Sequence, residues 1–141
     1  RSLCYLLAKY PGVRITFVAP DVVRMKDDIK EYLTRHGIQW CEASDLHETV
    51  AKADVVYMTR IQRERFTDRI AEYEQARGHY IMDRAVLDRM RPEAIVLHPL
   101  PRVDEITVEV DADPRARYFE QAINGVFVRM ALLRLLLARD R

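Results

Sequence analysis

The chain has 141 residues, which is the size of a single globular domain. Apolar residues make up 49% of it and charged residues 32%, and its 23 basic residues almost balance its 22 acidic ones. A net charge of +1 without a basic block gives no electrostatic reason to bind nucleic acid, and the longest apolar run, at 135–138, is too short to cross a membrane.

Apolar residues at helical spacing alternate along the chain with short runs of β-branched and aromatic residues. In chain order these patterns predict a helix over 2–9, a strand over 13–18, a helix over 26–36, a strand over 38–42, a helix capped by Ser44 or Asp45, a strand over 54–58, helices over 70–77 and 83–90, a strand over 94–97 and a closing helix that ends near 138. The alternation predicts an open three-layer α/β/α domain, with a mostly parallel sheet of about four to five strands and helices on both faces.

The closing segment carries two further predictions. Asp113 and Pro114 are typical of a helix cap followed by proline at the first helical position, and the pair at 124–125, Asn-Gly, leaves open whether one helix or two follow. Residues 130–137 are apolar almost all round the helix, interrupted only by Arg134. Such a helix is normally buried, so we expect its apolar face to lie bare in this chain or to contact another chain.

Cysteine and histidine patterns indicate neither a disulfide framework nor a metal site. Cys4 and Cys41 are the only cysteines, and no Cys/His cluster with zinc-ligand spacing is present, so reduced, packed thiols are expected. Glycine-rich phosphate-binding motifs are also missing, and we expect no cofactor. No signal-peptide pattern is visible, which favours a cytoplasmic location.

Two loops are candidates for a ligand site. Residues 98–106 follow the last predicted strand, and Pro99 and Pro101 stop that strand because neither has an N–H to donate. Arg60 follows the strand over 54–58, and its planar guanidinium can grip a carboxylate with two hydrogen bonds. Ligands of open α/β sheets bind beyond the carboxyl ends of the strands, although a polar turn and a surface salt bridge explain the same residues without a ligand.

The motifs of these loops resemble those of the aspartate carbamoyltransferase catalytic chains. The signature loop is matched by His-Pro-Leu-Pro-Arg-Val-Asp-Glu-Ile at 98–106, and the aspartate-gripping segment by Tyr-Met-Thr-Arg-Ile-Gln-Arg-Glu-Arg at 57–65. Further matches at 17–25 and 113–125 keep the family order. The resemblance covers only the second half of the family, so it implies that residues 1–141 form the aspartate-binding domain and that the N-terminal carbamoyl-phosphate domain is absent from this chain.

The resemblance implies a transferase of pyrimidine biosynthesis. Its members move a carbamoyl group from carbamoyl phosphate to the amine of L-aspartate, giving N-carbamoyl-L-aspartate and phosphate. The family's Ser-x-Arg-Thr-Arg signature and its catalytic histidine belong to the first domain, so we expect no catalytic residue in this half and no turnover by this chain alone. The implied partners are the carbamoyl-phosphate domain and a homotrimer of full-length chains, with regulatory chains left open.

The resemblance also assigns roles to individual residues. It implies that Arg60 and Gln62 bind L-aspartate. It implies that the carbonyl groups of Pro99, Leu100 and Pro101 meet the carbamoyl NH2 and the incoming amine, with a cis Leu100–Pro101 peptide. Arg102, Asp104 and Glu105 are expected to brace this loop. The residues implied in loop closure are Glu64, Arg65, Tyr73 and Asp104.

Competing interpretations remain open at this point. Ornithine carbamoyltransferases resemble His-Cys-Leu-Pro where this chain has His-Pro-Leu-Pro, so the loop favours the aspartate enzymes. A non-enzymatic alternative is an isolated α/β module that only folds or binds dicarboxylates weakly. A receiver-like signalling domain is disfavoured, because Asp21 follows the first strand but no lysine follows the last.

Overall fold

A computed structural model of the chain describes residues 1–60 and 80–138. Its elements are α1 (Ser2–Leu7), β1 (Arg14–Val18), a 3₁₀ turn (Asp21–Val23), α2 (Asp27–Arg35), β2 (Gln39–Ala43), α3 (Leu46–Val50), β3 (Val55–Tyr57), α4 (Arg84–Leu87), β4 (Ile95–Leu97), a second 3₁₀ segment (Val108–Ala112) and α5 (Tyr118–Leu137). All four predicted strands are present, and the α/β class is confirmed. The helix predicted over 70–77 lies outside the described residues.

All the strands pair in parallel. β1 pairs with β2 over five residues, and β3 pairs with β4 over three, with Tyr57 and Leu97 as the last partners. Within the described residues these are two separate two-stranded ladders, whereas the sequence predicted a sheet of about four to five strands. β3 and β4 are only three residues long, which leaves little backbone for a continuous ladder. Val18, at the end of β1, packs against the core beneath β3 and β4.

Backbone from the segment before α5 extends the pairing of β4. The N–H of Val96 donates to the carbonyl of Arg115 at 2.8 Å, and the N–H of Arg117 donates to the carbonyl of Val96 at 2.9 Å. A second isolated bridge joins Met82 to Ile106. Both edges of β4 are therefore paired, which fixes where its carboxyl end lies.

The apolar side chains form two cores. The larger one lies around β3 and β4, and its most deeply buried members are Met82, Leu87, Val96, Ile106, Val110 and Tyr118. The smaller one lies between α1, α2, β1 and β2, and consists of Cys4, Ile29, Leu33 and Ile38. Burial of each large side chain contributes about 1.5–3 kcal/mol. The larger core has more buried side chains than the smaller one, so it contributes more to the stability of the chain.

Aspartate side chains cap two of the short helices. Asp45 accepts a hydrogen bond from the N–H of Glu48 at 2.9 Å, and Asp83 accepts one from Val86 at 2.8 Å. Each bond satisfies a backbone donor that the first turn leaves unpaired. Of the two predicted caps of α3, Asp45 rather than Ser44 is the cap residue.

The start of the closing helix was predicted wrongly. α5 begins at Tyr118, and not at Pro114, because the carboxylate of Asp113 accepts from the backbone N–H and the side chain of Arg115 and so forms a turn. The helix runs through Asn124 and Gly125 without a break. A glycine inside a helix costs about 1 kcal/mol relative to alanine, and this single cost does not end a helix of 20 residues.

The apolar face of α5 lies bare in this chain, as predicted. More than half of the surface of each of its large apolar side chains beyond Phe119 is exposed, namely that of Ile123, Val126, Phe127, Val128, Met130, Leu132, Leu133, Leu135, Leu136 and Leu137. Only Tyr118, at the start of the helix, is buried. Within the described residues, no helix combines the length and the hydropathy that crossing a bilayer requires.

Candidate functional site

The two candidate loops leave the same edge of one strand pair. β3 and β4 run in parallel to their last partners, Tyr57 and Leu97, and the N–H of Met58 donates to the carbonyl of Leu97 at 2.9 Å. Arg60 comes two residues after Met58, and the proline turn begins immediately after Leu97 with His98. The strand register therefore places Arg60, an exposed residue, and the proline turn at the same edge of the ladder, beyond its carboxyl end.

The proline turn has an unusual backbone. The peptide between Leu100 and Pro101 is cis, as the resemblance implied, and Leu100 has a φ of 46°. Pro99 and Pro101 are exposed, while the side chain of Leu100 packs partly buried against the larger core. Among the residues that the structure describes, no donor reaches the carbonyl oxygens of these three residues. These three carbonyl groups are therefore candidate acceptors for a ligand.

A buried imidazole and a buried carboxylate lie beneath the turn. His98 is 1% exposed and Glu105 is 6% exposed, and His98 Nε2 lies 2.7 Å from Glu105 Oε1. His98 Nδ1 accepts the N–H of Leu100 at 2.8 Å, and Glu105 Oε2 accepts the N–H of Val103 at 3.1 Å. Both side chains are thus hydrogen-bonded to the backbone of the loop. The prediction that Glu105 braces the loop agrees with these contacts.

A second polar cluster fixes the far side of the loop. The guanidinium of Arg102 donates to both oxygens of Asp111, with Nη2 2.6 Å from Oδ2, and Nη1 lies 3.1 Å from the hydroxyl of Tyr118. Tyr118 is fully buried and donates its hydroxyl hydrogen to Asp111. The hydrogen bonds from Arg102 and then Tyr118 lower the pKa of Asp111, whereas burial, with Asp111 adding to it, raises the pKa of Tyr118 to about 12. Arg102 is therefore committed to holding the loop.

The remaining predicted site residues divide into two groups. Asp104 is exposed, next to the buried Glu105. The others fall at positions 61–79, outside the described residues, and they are Gln62, Glu64, Arg65 and Tyr73. Of the predicted binding residues that the structure describes, Arg60 and the turn of Pro99, Leu100 and Pro101 lie at one edge of the sheet.

Two residues that hold the loop were missed from the sequence. His98 was noted only as part of the motif, and Gln121 was not singled out, although its Oε1 accepts the N–H of His98 at 3.0 Å. The available signal was the pair of polar side chains, His98 and Glu105, on either side of two prolines. Proline supplies no N–H to hold such a turn, so the support has to come from side chains.

The site offers binding groups of two kinds. A guanidinium donates to carboxylates, and backbone carbonyl oxygens accept from amide or amine N–H groups. A ligand that carries a carboxylate at one end and N–H donors at the other fits this arrangement. Preorganised groups of this kind act by holding reactants in place.

Comparison with known proteins identifies the family. The family model "Aspartate/ornithine carbamoyltransferase, Asp/Orn binding domain" matches residues 1–136. A chloroplastic aspartate carbamoyltransferase of Oryza sativa is 63% identical over 137 residues, which cover 97% of this chain and 38% of the rice protein. The catalytic subunit of M. jannaschii aspartate transcarbamoylase superposes with a TM-score of 0.88 at 41% identity, over 99% of this chain and 46% of that one.

A third relative was solved with ligands. The aspartate transcarbamoylase of Trypanosoma cruzi in complex with carbamoyl phosphate and aspartate superposes with a TM-score of 0.83 at 39% identity, over 94% of this chain and 44% of that one. The chain thus spans less than half the length of each of these relatives. Because the family model covers nearly the whole sequence, this chain belongs to the aspartate/ornithine carbamoyltransferase family and matches its Asp/Orn-binding domain.

Proposed function

We propose that this chain is the aspartate-binding half of an aspartate carbamoyltransferase. The reaction transfers the carbamoyl group of carbamoyl phosphate to the amine of L-aspartate, giving N-carbamoyl-L-aspartate and phosphate. The main support is that Arg60 and the turn at 99–101 leave the same edge of two adjacent parallel strands. The substrates named for the Trypanosoma cruzi complex agree with this proposal.

The proposed roles follow from the chemistry of each group. Arg60 binds a carboxylate of aspartate, and Gln62 contacts or orients the amine. The carbonyl groups of Pro99, Leu100 and Pro101 accept hydrogen bonds from the carbamoyl NH2 and from the incoming amine. Loop closure over the bound substrates is assigned to Glu64, Arg65, Tyr73 and Asp104.

The reaction needs positioned groups rather than a covalent nucleophile. The amine nitrogen of aspartate attacks the carbamoyl carbon, the new C–N bond forms, the C–O bond to phosphate breaks, and the amine loses a proton. Arg60 and the turn would hold the amine against the carbamoyl carbon. Donors for the developing oxyanion and for the phosphate would come from the other half of the enzyme.

Charge favours aspartate over ornithine as the acceptor. The side chain of aspartate ends in a carboxylate, which a guanidinium attracts, whereas the side chain of ornithine ends in an ammonium group, which a guanidinium repels. The relatives at 60–64% identity are all named aspartate carbamoyltransferases. The proline after His98, where ornithine enzymes resemble His-Cys, points the same way.

The proposed partners supply what this half lacks. They are an N-terminal carbamoyl-phosphate domain and two further copies of the full-length chain in a homotrimer, with regulatory chains as an optional addition. The cytoplasmic location also stays a prediction, and the rice relative is named as chloroplastic. Imaging of the tagged full-length protein would distinguish the two compartments.

A complementation assay tests the proposal. We expect the full-length protein, or this chain mixed with the complementary half, to form N-carbamoyl-L-aspartate from carbamoyl phosphate and aspartate. We expect neither half alone to do so. Ornithine is the matched control substrate and should give no product. Equal activity with ornithine would contradict the aspartate assignment, and no product from the full-length protein would favour a module that only binds dicarboxylates.

A further inference from the structure

We propose that His98 is a positioning residue that fixes the carbonyl groups of the turn at 99–101, acting as a neutral imidazole with its hydrogen on Nε2. This inference rests on the proposed function, because it assigns a role within the same site. The observations that carry it are the burial of His98 and its hydrogen bonds, which reach both the turn and the buried carboxylate of Glu105.

The hydrogen bonds fix the tautomer of His98. A backbone N–H can only donate, so the 2.8 Å contact between Leu100 N and His98 Nδ1 makes Nδ1 the acceptor. An accepting Nδ1 carries no hydrogen, and in a neutral imidazole the hydrogen then lies on Nε2. Nε2 therefore donates to Glu105 Oε1 across 2.7 Å. A protonated imidazole would lose the bond to Leu100, because both of its nitrogens would be donors.

The pair joins the two ends of the turn. Glu105 uses its second oxygen to accept the N–H of Val103, so one carboxylate connects residue 103 to His98. His98 in turn accepts the N–H of Leu100 at Nδ1, and its backbone N–H donates to the side chain of Gln121 on α5. The turn is thus tied at both ends to one buried pair and, through Gln121, to the longest helix among the described residues.

This support is needed because the turn cannot hold itself. Pro99 and Pro101 supply no N–H, and the φ of 46° at Leu100 is a conformation that a leucine adopts only when its surroundings impose it. The hydrogen bond from the Leu100 N–H to His98 is such a constraint. A displacement of reacting groups by about 1 Å can lower a rate about a hundredfold. His98 itself is 1% exposed, so it acts through the turn rather than by touching substrate.

Two substitutions separate the two hydrogen bonds of the imidazole. In the full-length enzyme, His98→Asn keeps an acceptor near the place of Nδ1 for the Leu100 N–H, and His98→Gln keeps a donor near the place of Nε2 for Glu105. We expect His98→Gln to lower kcat about 10- to 100-fold and to raise the KM for carbamoyl phosphate and the KM for aspartate, because the turn is assigned contacts with both substrates. We expect His98→Asn to retain most of kcat.

Controls separate positioning from a general loss of stability. Asp113→Asn removes a charge from a different, largely buried ion pair and should reduce stability while leaving kcat unchanged. Glu105→Gln keeps the side-chain shape, and its amide oxygen can still accept from His98 Nε2, but its NH2 group cannot accept the N–H of Val103. We therefore expect a fall in kcat even if the His98 variants do not fold. Rates are normalised to folded enzyme.

The outcomes distinguish this proposal from the proposed function. Lack of carbamoyl transfer by the wild-type enzyme would refute the proposed function. A wild-type enzyme that is active, with folded His98→Gln or Glu105→Gln variants that keep the wild-type kcat and both KM values, would overturn the positioning role. Equal losses of kcat in these variants and in Asp113→Asn would also overturn it, since the effect would then be one of stability alone.

Discussion

Arg91 and Asp54 form an ion pair with a 2.8 Å contact at the amino ends of β3 and β4. Arg60 follows the carboxyl end of the same ladder, so two exposed arginines mark its opposite ends. Pairs of this kind at a surface contribute about 0–1 kcal/mol to stability. Arg91 is therefore the matched control for Arg60, because it has the same side chain near the opposite end of the same strand pair and lies away from the proposed site.

Arg60→Ala in the full-length enzyme should raise the KM for aspartate and lower kcat together. Under the proposed function this substitution removes a guanidinium–carboxylate pair with aspartate, so we expect kcat/KM to fall about a hundredfold. Arg91→Ala should leave both parameters within about twofold of the wild type. Steady-state kinetics with varied aspartate measures the difference. If Arg60→Ala kept the wild-type kcat and KM for aspartate, Arg60 would not be part of the site.

The ion pair of Asp113 and Arg115 should make stability fall in acid. Hydrogen bonds from Arg115 lower the pKa of Asp113 from 3.8 to about 2, so the folded state favours the ionised carboxylate. The stabilisation is complete above the unfolded pKa near 4 and is lost as the pH falls through 2. Urea titrations should find Asp113→Asn less stable by about 2 kcal/mol at pH 6, a gap that closes towards pH 2. A gap that does not change with pH would contradict the assignment.

Tyr118 should make stability fall in alkali. Burial and the hydrogen bond to Asp111 raise its pKa from 10 to about 12. A raised pKa means that the folded state favours the neutral phenol, so this stabilisation is complete below pH 10 and is lost as the pH rises towards 12. Tyr118→Phe should cost about 1 kcal/mol at pH 7 and should lack this alkaline component. If the free energy of unfolding of the two proteins fell equally between pH 10 and pH 12, the prediction would be contradicted.

Core and surface leucines should differ sharply when truncated. Leu87 is fully buried in the larger core, whereas Leu135 on α5 is 76% exposed. Leu87→Ala leaves a cavity and should destabilise this chain by about 2–5 kcal/mol. Leu135→Ala should change the free energy of unfolding by less than about 0.5 kcal/mol. Denaturant midpoints with equal m-values test both, and a large effect at Leu135 would show that α5 is covered in solution.

The sequence predicted the strands more accurately than the end of the chain. Short β-branched runs such as that of β3 have few other stable conformations next to a core, so their positions were found within a residue or two. The Asp113–Pro114 pair has two uses, a helix cap or a turn, and the side chain of Arg115 decides between them. That contact, like the hydrogen bond of Gln121 to His98, depends on tertiary packing, which sequence spacing does not report.

The sequence also predicted the location of the site, but not the orientation of every side chain in it. The motifs located Arg60 and the proline turn on loops that follow strands, and parallel pairing of those strands brings the two loops to one edge. The motifs did not report that the imidazole of His98 lies inside the loop, 1% exposed, rather than facing the ligand side. Which way a loop side chain points is decided by the backbone donors around it, here the N–H of Leu100.

Position 100 also limits which amino acids the turn can accept. Its φ of 46° suits glycine and asparagine, while valine, isoleucine and threonine would crowd their branched Cβ against the backbone. Leucine keeps partial burial against the core at a backbone cost of about 1 kcal/mol. In a saturation library at this codon of the full-length protein, screened for the proposed carbamoyl transfer, the active variants should therefore be those whose residue tolerates a left-handed backbone, rather than the most hydrophobic ones.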